Sequence, residues 1–491
     1  MSAVQGAGGA NVGDRPDIVL FMTDQQRHDQ TGYASGGFFE TPVLDQLAER
    51  GIRFDRAYSA STTCVPARNA LLTGTQPHRL PKAPFPYVLP SGTWTIARGL
   101  RDAGYETALV GKMHFTPMHA DHGFDSMLTS EHLGASRHAL TPDGLPDVDD
   151  YHQWLVDQGL ARWQRLEVGE VPELRPVDPP PGELASLFPW DLRFHATTWI
   201  EERASLVLTR PRSRPLFLVV SFPHPHVPLN PPEPYRSQYR EDDATVPTPG
   251  AEANDGLPDA FRDAIASDQA AFRPWRVADH GEDALRVRLT RARGLIRHID
   301  DALGRLLERI DLGRTLVAFT SDHGDYAGHR GLASKMPWIP FDDLVRVPLV
   351  LAGAGVVPHQ RVPHIVQSAD LAPTFCEAAG VPFAPEALDF RSLRPFLEAA
   401  PTSADRDRTA VFATNAGWPG ARRGSTKLIL HPPEFSAVLF DLDEDPDETT
   451  DVHDDPGHEA SRADLAETLR VAFAQPALTL PTAADQDMRR T

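Results

Sequence analysis

Five short apolar runs, separated by stretches of helical patterning, constrain the fold of this chain more than any other feature. The runs lie at 18–22, 107–110, 216–222, 315–320 and 348–352. Between the third and fourth runs, leucine and isoleucine recur at helical spacing from Leu295 to Ile310. Short apolar runs that alternate with helices are typical of a mostly parallel sheet covered by helices on both faces. The sequence therefore predicts an α/β fold.

Composition along the chain predicts a leader followed by one large domain. Residues 1–15 are rich in Gly and Ala and lack a basic start followed by an apolar core. We expect them to form a disordered leader and not a secretion signal. Residues 16–360 carry the apolar runs and form the predicted α/β domain. Within it, the Pro-rich stretches at about 127–195 and 228–275 are expected to be long excursions over the scaffold.

The pattern changes after residue 360. Residues 361–491 contain short apolar segments with Gly and Pro turns, which predict a smaller α+β subdomain with an antiparallel sheet, followed by a tail. The expected strands are 411–414, 427–430 and 437–442, and a final helix is expected over about 459–473.

Charge and cysteine content exclude several classes of protein. The net charge of −20 argues against a nucleic-acid binder, because neutralising phosphates requires a basic surface. The apolar runs are far shorter than the roughly 20 residues of a membrane span, so no transmembrane helix is expected. The two cysteines, Cys64 and Cys376, provide no disulfide framework. We expect a cytoplasmic protein whose substrate can be a small anion, and the sequence leaves a homo-oligomer open.

Lysine is rare in this chain. It occurs only at positions 82, 112, 335 and 427 among 48 basic residues. Because lysine presents a compact and titratable ammonium group, each position raises the question of a specific role. Lys112 and Lys335 lie in motifs described below. Lys82 and Lys427 are expected to be ordinary surface charges.

Polar residues follow four of the apolar runs. They are Asp24 after the first, Lys112 and His114 after the second, His224 and His226 after the third, and Asp322 and His323 after the fourth. Ligands of open α/β sheets bind at the carboxyl ends of the strands, so these residues are expected to converge. Two carboxylates there would repel unless a cation lay between them, and oxygen ligands suit Ca²⁺, Mg²⁺ or Mn²⁺. Helix capping is the alternative for Asp24 and Asp322, and ordinary packing is favoured for His224.

The segment around Cys64 reads Thr-Thr-Cys-Val-Pro-Ala-Arg from Thr62 to Arg68. Pro66 suits the first turn of a helix, which would place residue 64 at a helix N-terminus, where free N–H groups favour an anion. Arg68, one turn later, is placed to hold an oxyanion or to orient residue 64. The alternatives are a small buried thiol for Cys64 and a surface charge for Arg68.

These motifs resemble those of type I sulfatases in the alkaline phosphatase superfamily, over residues 16–455. Cys64-x-Pro-x-Arg68 matches the signal by which these sulfatases have their cysteine oxidised to formylglycine. The other matching segments are 111–114, 225–228, 321–324 with Lys335, 346–350 and 439–446. The resemblance implies an alkaline phosphatase-like core, a formylglycine-generating enzyme as partner, and hydrolysis of a sulfate ester to an alcohol and inorganic sulfate.

The resemblance also implies a role for each matching residue. The implied metal ligands are Asp24, Gln25, residue 64, Asp322 and His323, which would bind one divalent cation, Ca²⁺ first with Mn²⁺ or Mg²⁺ as alternatives. Lys112 and Lys335 would bind sulfate oxygens, with Lys335 or His226 also near the leaving group. Arg68 and His114 would hold the hydrated aldehyde. One of its geminal hydroxyls would attack sulfur and expel the alcohol, and the other would lose a proton to release sulfate.

The chain departs from the pattern of many arylsulfatases at three positions. Ala67 stands where Ser or Thr is frequent, Gln25 where a second Asp is frequent, and His323 where Asn is frequent. The Asp-Gln and Asp-His pairs are more similar to choline sulfatases and phosphonate monoester hydrolases. Hydrolysis of a phosphonate monoester or phosphodiester is therefore the alternative activity, and a sulfatase-like binding protein without activity is a third. The alcohol part of the substrate stays open.

Overall fold

The computed structural model describes residues 15–80, 89–90, 92–115, 118–131, 148–160, 188–267, 274–381, 388–413, 417–431 and 436–476. Residues 1–14 of the predicted leader, much of the first predicted excursion, Lys82 and the end of the predicted tail lie outside this range.

The strands form one large and two small sheets. In chain order they are β1 (Asp17–Asp24), β2 (Gly51–Tyr58), β3 (Glu106–Gly111), β4 (Ser126–Thr129), β5 (Leu216–Pro225), β6 (Trp275–Arg276), β7 (Thr315–Ser321), β8 (Leu332–Ala333), β9 (Leu349–Gly353), β10 (Gln360–Gln367), β11 (Thr409–Phe412), β12 (Gly420–Arg423), β13 (Thr426–His431) and β14 (Ser436–Asp441). The large sheet has the order β10-β2-β9-β7-β1-β5-β3-β4. Strand β9 runs antiparallel to both neighbours, and the other pairs are parallel. The predicted α/β fold with a mostly parallel sheet is confirmed.

Helices cover both faces of the large sheet. The longer ones are α1 (Pro42–Glu49), α2 (Cys64–Thr73), α3 (Ile96–Asp102), α4 (Asp150–Asp157), α5 (Ala196–Thr209), α6 (Asp259–Ala266), α7 (Glu282–Leu307), α8 (Leu371–Ala378) and α9 (Glu459–Ala474). Short helical turns lie at Val277–His280, Asp342–Val345, Arg394–Leu397 and Ser403–Arg406. Among the described helices, none combines the length and apolarity that crossing a bilayer requires.

Strand β1 shows how the sheet divides the core into two layers. Ile18, Leu20 and Met22 pack with α2, α3 and α8 on one face, whereas Val19 and Phe21 pack with α1, α5 and α7 on the other. Successive side chains of a strand point to opposite faces, so a strand buried on both faces must be apolar throughout. This explains why β1, β3, β5, β7 and β9 are evident in the sequence as continuous apolar runs.

The sequence did not indicate the remaining strands of the large sheet. Strand β2 carries Arg53, Asp55 and Arg56 among its apolar residues, and β4 has only four residues. Strand β10 contains Pro363, which an edge strand tolerates because one of its sides forms no sheet hydrogen bonds. The predicted division at residue 360 stays a prediction, and β10 and α8 pack with the large sheet.

The second sheet, in the order β11-β12-β13-β14, is antiparallel throughout. One face packs against α9 through Leu465 and Leu469, and the other packs against Phe341 and Leu344. The predicted strands over 411–414, 427–430 and 437–442 correspond to β11, β13 and β14 with bounds shifted by one or two residues, and residue 414 lies outside the described range. The predicted final helix corresponds to α9. Strand β12, with the sequence Gly-Ala-Arg-Arg, gives no apolar signal.

The expectation that Lys427 is a surface charge is wrong. Its side chain is 0% exposed, and its Nζ lies 2.8 Å from Asp342 Oδ1 and 2.7 Å from Glu448 Oε1. Arg422 Nη1 lies 3.0 Å from Asp342 Oδ2. We call Asp342, Arg422, Lys427 and Glu448 the C-terminal ion cluster. Asp342 lies 80 residues before Arg422 and 85 before Lys427, so no local pattern could predict this pairing.

Candidate active site

The two predicted carboxylates meet at the carboxyl edge of the large sheet. Asp24 ends β1 and Asp322 follows β7, and these strands are parallel neighbours with Thr23 opposite Ser321. The backbone N–H of Asp322 donates to the carbonyl oxygen of Thr23 at 3.2 Å. Both carboxylates are buried. Parallel pairing therefore brings together two residues that are separated by most of the chain.

Cys64 lies at the N-terminus of α2, where the extended Thr63 caps the helix. Its Sγ is 2.9 Å from Lys335 Nζ and 3.2 Å from His323 Nε2. Burial acts to raise the pKa of the thiol, but the charges of Lys335, Lys112 and His323 hold this pKa well below its ordinary value. The helix dipole acts in the same direction. Residue 64 thus occupies a site built for negative charge.

Arg68 connects four strand ends of the large sheet. Its Nε donates to Asp322 Oδ2 at 2.7 Å, and its Nη2 donates to Asp24 Oδ2 at 3.0 Å. Its Nη1 donates to the carbonyl oxygen of Lys112 at 2.6 Å and to Ser221 Oγ at 2.8 Å. The guanidinium is fully buried, so the alternative of a surface charge is wrong. Ser221, inside the third apolar run, was not predicted as a site residue.

The two carboxylates differ in their pKa although they share Arg68. Burial and the Cys64 charge act to raise the pKa of Asp24, but Lys112, His226 and Arg68 hold it well below its ordinary value. Lys112 Nζ lies 2.6 Å from Asp24 Oδ2. Burial, followed by the charge of Asp24, raises the pKa of Asp322. An additional positive charge near Asp322 would relieve this repulsion.

The donor atoms fit a divalent cation. Ligand atoms of Asp24, Cys64, Asp322 and His323 all lie within 4.8 Å of one another. The Oδ1 atoms of both aspartates lie 3.9 Å from His323 Nε2, while both Oδ2 atoms are bound to Arg68. Gln25 lies beside them, and its buried Oε1 accepts no hydrogen bond from the described residues. The set offers carboxylate, imidazole and amide donors, and Asp322 Oδ1 also accepts from the backbone N–H groups of Gln25 and His323 at 3.0 and 2.8 Å.

Backbone contacts orient Gln25 and His323 within this group. Gln25 has a φ of 66°, its N–H donates to Asp322 Oδ1 at 3.0 Å, and its Nε2 donates to Asp325. His323 Nδ1 lies 2.8 Å from the carbonyl oxygen of Gly324. A ring nitrogen beside a carbonyl oxygen carries a proton, so Nε2 is the nitrogen that a metal would use. Burial acts to lower the pKa of His323, but the charge of Asp322 raises it, so a bound cation would displace the Nε2 proton. Asp325 was not predicted as a site residue.

Lys335 and His226 form a hydrogen-bonded pair beside Cys64. Lys335 Nζ lies 3.0 Å from His226 Nε2, and His226 Nδ1 lies 2.8 Å from the carbonyl oxygen of Val227. Burial, followed by the charge of Lys335, lowers the pKa of His226. The negative charge at Cys64 outweighs burial and raises the pKa of Lys335. Lys335 is therefore the cation of this pair, and it donates to a neutral imidazole.

The predicted residues of the second and third strand ends separate into two environments. The His114 side chain contributes to the lowered pKa of Cys64, and the His114 backbone N–H donates to Glu131, a residue that was not predicted. His224 instead stacks on the ring of His195 with centroids 4.9 Å apart, and its Nδ1 lies 3.2 Å from the carbonyl oxygen of His226. Burial lowers the pKa of His224 to about 4. This arrangement agrees with the ordinary packing favoured for His224.

Known proteins are similar to this chain over most of its length. The Sulfatase family model matches residues 16–381, and the model for the C-terminal region of N-sulphoglucosamine sulphohydrolase matches residues 337–475. The choline-sulfatase of Rhizobium meliloti is 29% identical, with 92% of this chain and 85% of that protein aligned. The arylsulfatase of Clostridium perfringens is 28% identical, with 89% and 90% aligned. The solved phosphonate monoester hydrolase of Silicibacter pomeroyi has a TM-score of 0.77 at 24% identity, covering 95% of this chain and 97% of that one, and this likeness shows a shared fold.

Proposed function

The chain belongs to the sulfatase family, within the alkaline phosphatase superfamily, and is a sulfuric ester hydrolase; from this premise we propose that a formylglycine formed from Cys64 is its nucleophile. The observation that carries the proposal is the environment of Cys64 Sγ, which lies 2.9 Å from Lys335 Nζ at the start of α2. A thiol that served only as core packing would be surrounded by apolar groups. The products would be an alcohol and inorganic sulfate.

Position 64 and two lysines would bind the sulfate group. Hydrated formylglycine supplies two geminal hydroxyls, one to attack sulfur and one whose deprotonation allows sulfate to leave. The N–H groups at the start of α2 face an anion held there. Lys112 and Lys335, both close to this point, would neutralise charge on the sulfate oxygens as the ester bond breaks. Arg68 and His114 would hold residue 64 in place.

Asp24, Gln25, residue 64, Asp322 and His323 would hold one divalent cation. We propose Ca²⁺ first and Mn²⁺ or Mg²⁺ as alternatives, because carboxylate and amide oxygens predominate among these donors. Bound there, the cation would lower the pKa of the nucleophilic hydroxyl and neutralise the two carboxylates.

The Lys335–His226 pair would serve the leaving group. Lys335 carries a proton at Nζ, and His226 presents a neutral ring 3.0 Å away. The departing alkoxide oxygen needs one proton, which Lys335 would donate directly or through His226. Because His226 Nδ1 is directed at the Val227 carbonyl oxygen, Nε2 is the atom that exchanges this proton.

Peptide mass analysis across Thr63 to Arg68 tests the nucleophile. Protein from its native host should yield this peptide at a mass about 18 Da below that of the thiol form, which marks the aldehyde. Finding only thiol there would contradict the mechanism and favour a binding protein without turnover.

The proposal includes maturation by a formylglycine-generating enzyme in the cytoplasm, and a small anionic sulfate ester as substrate.

Hydrolysis of a phosphonate monoester or phosphodiester by the same nucleophile is the second candidate. The feature that favours it is the Asp24-Gln25 and Asp322-His323 pattern, which resembles that of phosphonate monoester hydrolases as well as that of choline sulfatases. Both reactions transfer a tetrahedral group with charge spread over its oxygens. Rates on an aryl sulfate and an aryl phosphonate ester, measured with one preparation, separate the two. A large preference for the phosphonate would overturn the first choice.

A further inference from the structure

The loop that follows β3 has an unusual backbone at His114. This residue has a φ of 64°, in the left-handed region that residues with a side chain seldom adopt. From this conformation its side chain is close enough to Cys64 to help lower the pKa of the thiol. Because such a backbone persists only when its surroundings enforce it, the contacts of the loop should include a specific restraint.

Glu131 provides that restraint. Its Oε1 accepts hydrogen bonds from two consecutive backbone N–H groups, that of Met113 at 2.8 Å and that of His114 at 2.7 Å. Two successive N–H groups that point at one oxygen fix the orientation of the peptide between them. The direction of the His114 side chain therefore depends on where Glu131 lies.

Glu131 is itself held from two sides. It comes shortly after β4, which pairs with β3, and the neighbouring Ser130 N–H donates to the carbonyl oxygen of Gly111 at 3.1 Å. Its own N–H donates to Asp149 Oδ2 at 2.6 Å. The other oxygen of Asp149 accepts from the N–H of His152 at 2.7 Å at the start of α4. A sheet and a helix cap thus position one carboxylate.

Lys112 is held independently of Glu131. Its backbone N–H donates to the carbonyl oxygen of Ser221 on β5 at 2.9 Å, and its Nζ lies 2.6 Å from Asp24 Oδ2. The restraint from Glu131 therefore acts on His114, whereas Lys112 is fixed by the large sheet and by Asp24. Loss of Glu131 should therefore displace His114 more than Lys112.

Local packing alone does not explain why a carboxylate is buried at position 131. Glu131 is 4% exposed, and its Oε2 accepts no hydrogen bond from the described residues. Burying a carboxylate with one oxygen that accepts no hydrogen bond destabilises the folded state. We therefore expect the charge or the geometry of this side chain to have a role. Its charge acts on the buried Arg68 and contributes to the raised pKa of that guanidinium. The residue therefore either balances positive charge or orients the loop.

We propose that Glu131 is a positioning residue for the hydrolysis: its Oε1 holds the Met113 and His114 N–H groups and so keeps the His114 side chain against residue 64. This role rests on the proposed function for its catalytic consequence. The position of one oxygen atom, and not the charge, is what the loop requires. A glutamine retains an acceptor at that position, whereas an aspartate retains the charge and withdraws the acceptor by one methylene.

Amide hydrogen exchange measures the restraint without reference to turnover. In the full-length protein, Glu131→Ala and Glu131→Asp should raise the exchange rate of the segment 111–115 by about tenfold, because two hydrogen bonds are lost. Glu131→Gln should stay within about threefold of wild type. Asp150→Ala is the matched control, since Asp150 Oδ2 accepts from the Thr129 N–H at 2.7 Å and does not contact the loop. Unchanged exchange in Glu131→Ala would overturn the role.

Steady-state kinetics on an aryl sulfate then tests the catalytic consequence. Glu131→Ala and Glu131→Asp should lower kcat about 10- to 100-fold with KM within about threefold, because a displaced His114 misorients residue 64 while Lys112 still binds sulfate. Glu131→Gln and Asp150→Ala should keep kcat within about threefold. A Gln variant as impaired as the Ala variant, with Asp active, would assign the effect to charge and overturn the proposal. An inactive wild type would instead contradict the proposed function and leave the exchange result to decide whether Glu131 holds the loop.

Discussion

The molecule contains two buried groups of charges that are built differently. In the C-terminal ion cluster, Lys427 lies between Asp342 and Glu448, and Arg422 binds the other oxygen of Asp342. The Tyr58 hydroxyl also donates to Asp342, at 3.0 Å. Two carboxylates face two cations, and the cluster joins the antiparallel sheet to the rest of the chain. Each charge is neutralised within the protein.

The group around residue 64 contains one cation more than its carboxylates need. Arg68 binds one oxygen of each aspartate, and Lys112 Nζ lies 2.6 Å from Asp24 Oδ2, so here too two cations face two carboxylates. Lys335 donates to Cys64 Sγ and to no described carboxylate. The lone pairs and the positive charge left over are what a cation and an anionic substrate would use. The comparison teaches that buried charge supports the fold where protein groups neutralise one another, and supports chemistry where a cation such as Lys335 faces no carboxylate.

Removing the sulfur of residue 64 should have the largest effect on function. We expect Cys64→Ala to lower kcat by at least about 10⁴-fold, since the proposed nucleophile is lost. The matched control is Cys376→Ala in the core below the large sheet, where burial raises the pKa of the thiol to about 12. That variant should keep kcat within about twofold while losing about 1–2 kcal/mol of unfolding free energy. Turnover by Cys64→Ala on a sulfate ester would contradict the mechanism.

Breaking the C-terminal ion cluster should lower the free energy of unfolding and leave activity unchanged. Lys427→Met leaves Asp342 and Glu448 buried without their shared cation, and we expect the free energy of unfolding to fall by about 3–5 kcal/mol. Its kcat should stay within about twofold of wild type, because the cluster does not contact residue 64. Lys112→Met, in the group around residue 64, should lower kcat by at least about 100-fold. Denaturant unfolding and steady-state kinetics on the two variants check this contrast, and equal losses of activity would erase it.

Divalent cations should bind the group around residue 64 and stabilise the protein there, and they should have no effect on the C-terminal ion cluster. At 100 times its Kd, a cation that binds only the folded protein adds about 2.7 kcal/mol to the unfolding free energy. We expect Ca²⁺ or Mn²⁺ added after chelation to raise Tm in wild type and in Lys427→Met. Asp322→Asn should lose most of this rise. A rise of equal size in Asp322→Asn would place the cation elsewhere.

The smallest effect should come from protons on the C-terminal ion cluster. Burial raises the pKa of Glu448 from its ordinary value of 4.5 to about 7, despite the opposing charge of Lys427. The folded state binds the Glu448 proton more tightly than the unfolded state does. The contribution of this proton to the free energy of unfolding is therefore complete below pH 4.5 and is lost as pH rises to about 7. Between these pH values, wild type should lose about 1–2 kcal/mol relative to Glu448→Gln. Parallel pH profiles of the unfolding free energy for both proteins would contradict this account.

Local chemistry was enough to predict much of the site. Motifs fixed by neighbouring residues, such as Cys64 to Arg68, indicated an N-terminal helical turn that favours an anion, and polar residues after apolar runs indicated the carboxyl edge of a sheet. Ser221, Glu131 and Asp325 escaped this reasoning because each acts through a contact with a residue far away in the chain. Their own surroundings in the sequence carry no signal.

The sequence by itself determined the α/β class, the strands buried on both faces, and many of the residues that meet at residue 64, because apolar runs and motif spacing are local properties. Only the tertiary structure decided which charges are paired. Lys427 and Lys335 are two of the few lysines in the chain. In the structure, Lys427 lies between two carboxylates, whereas Lys335 faces a sulfur atom. Pairing depends on which strands become neighbours, and hydrogen bonding between distant segments settles that only when the chain folds.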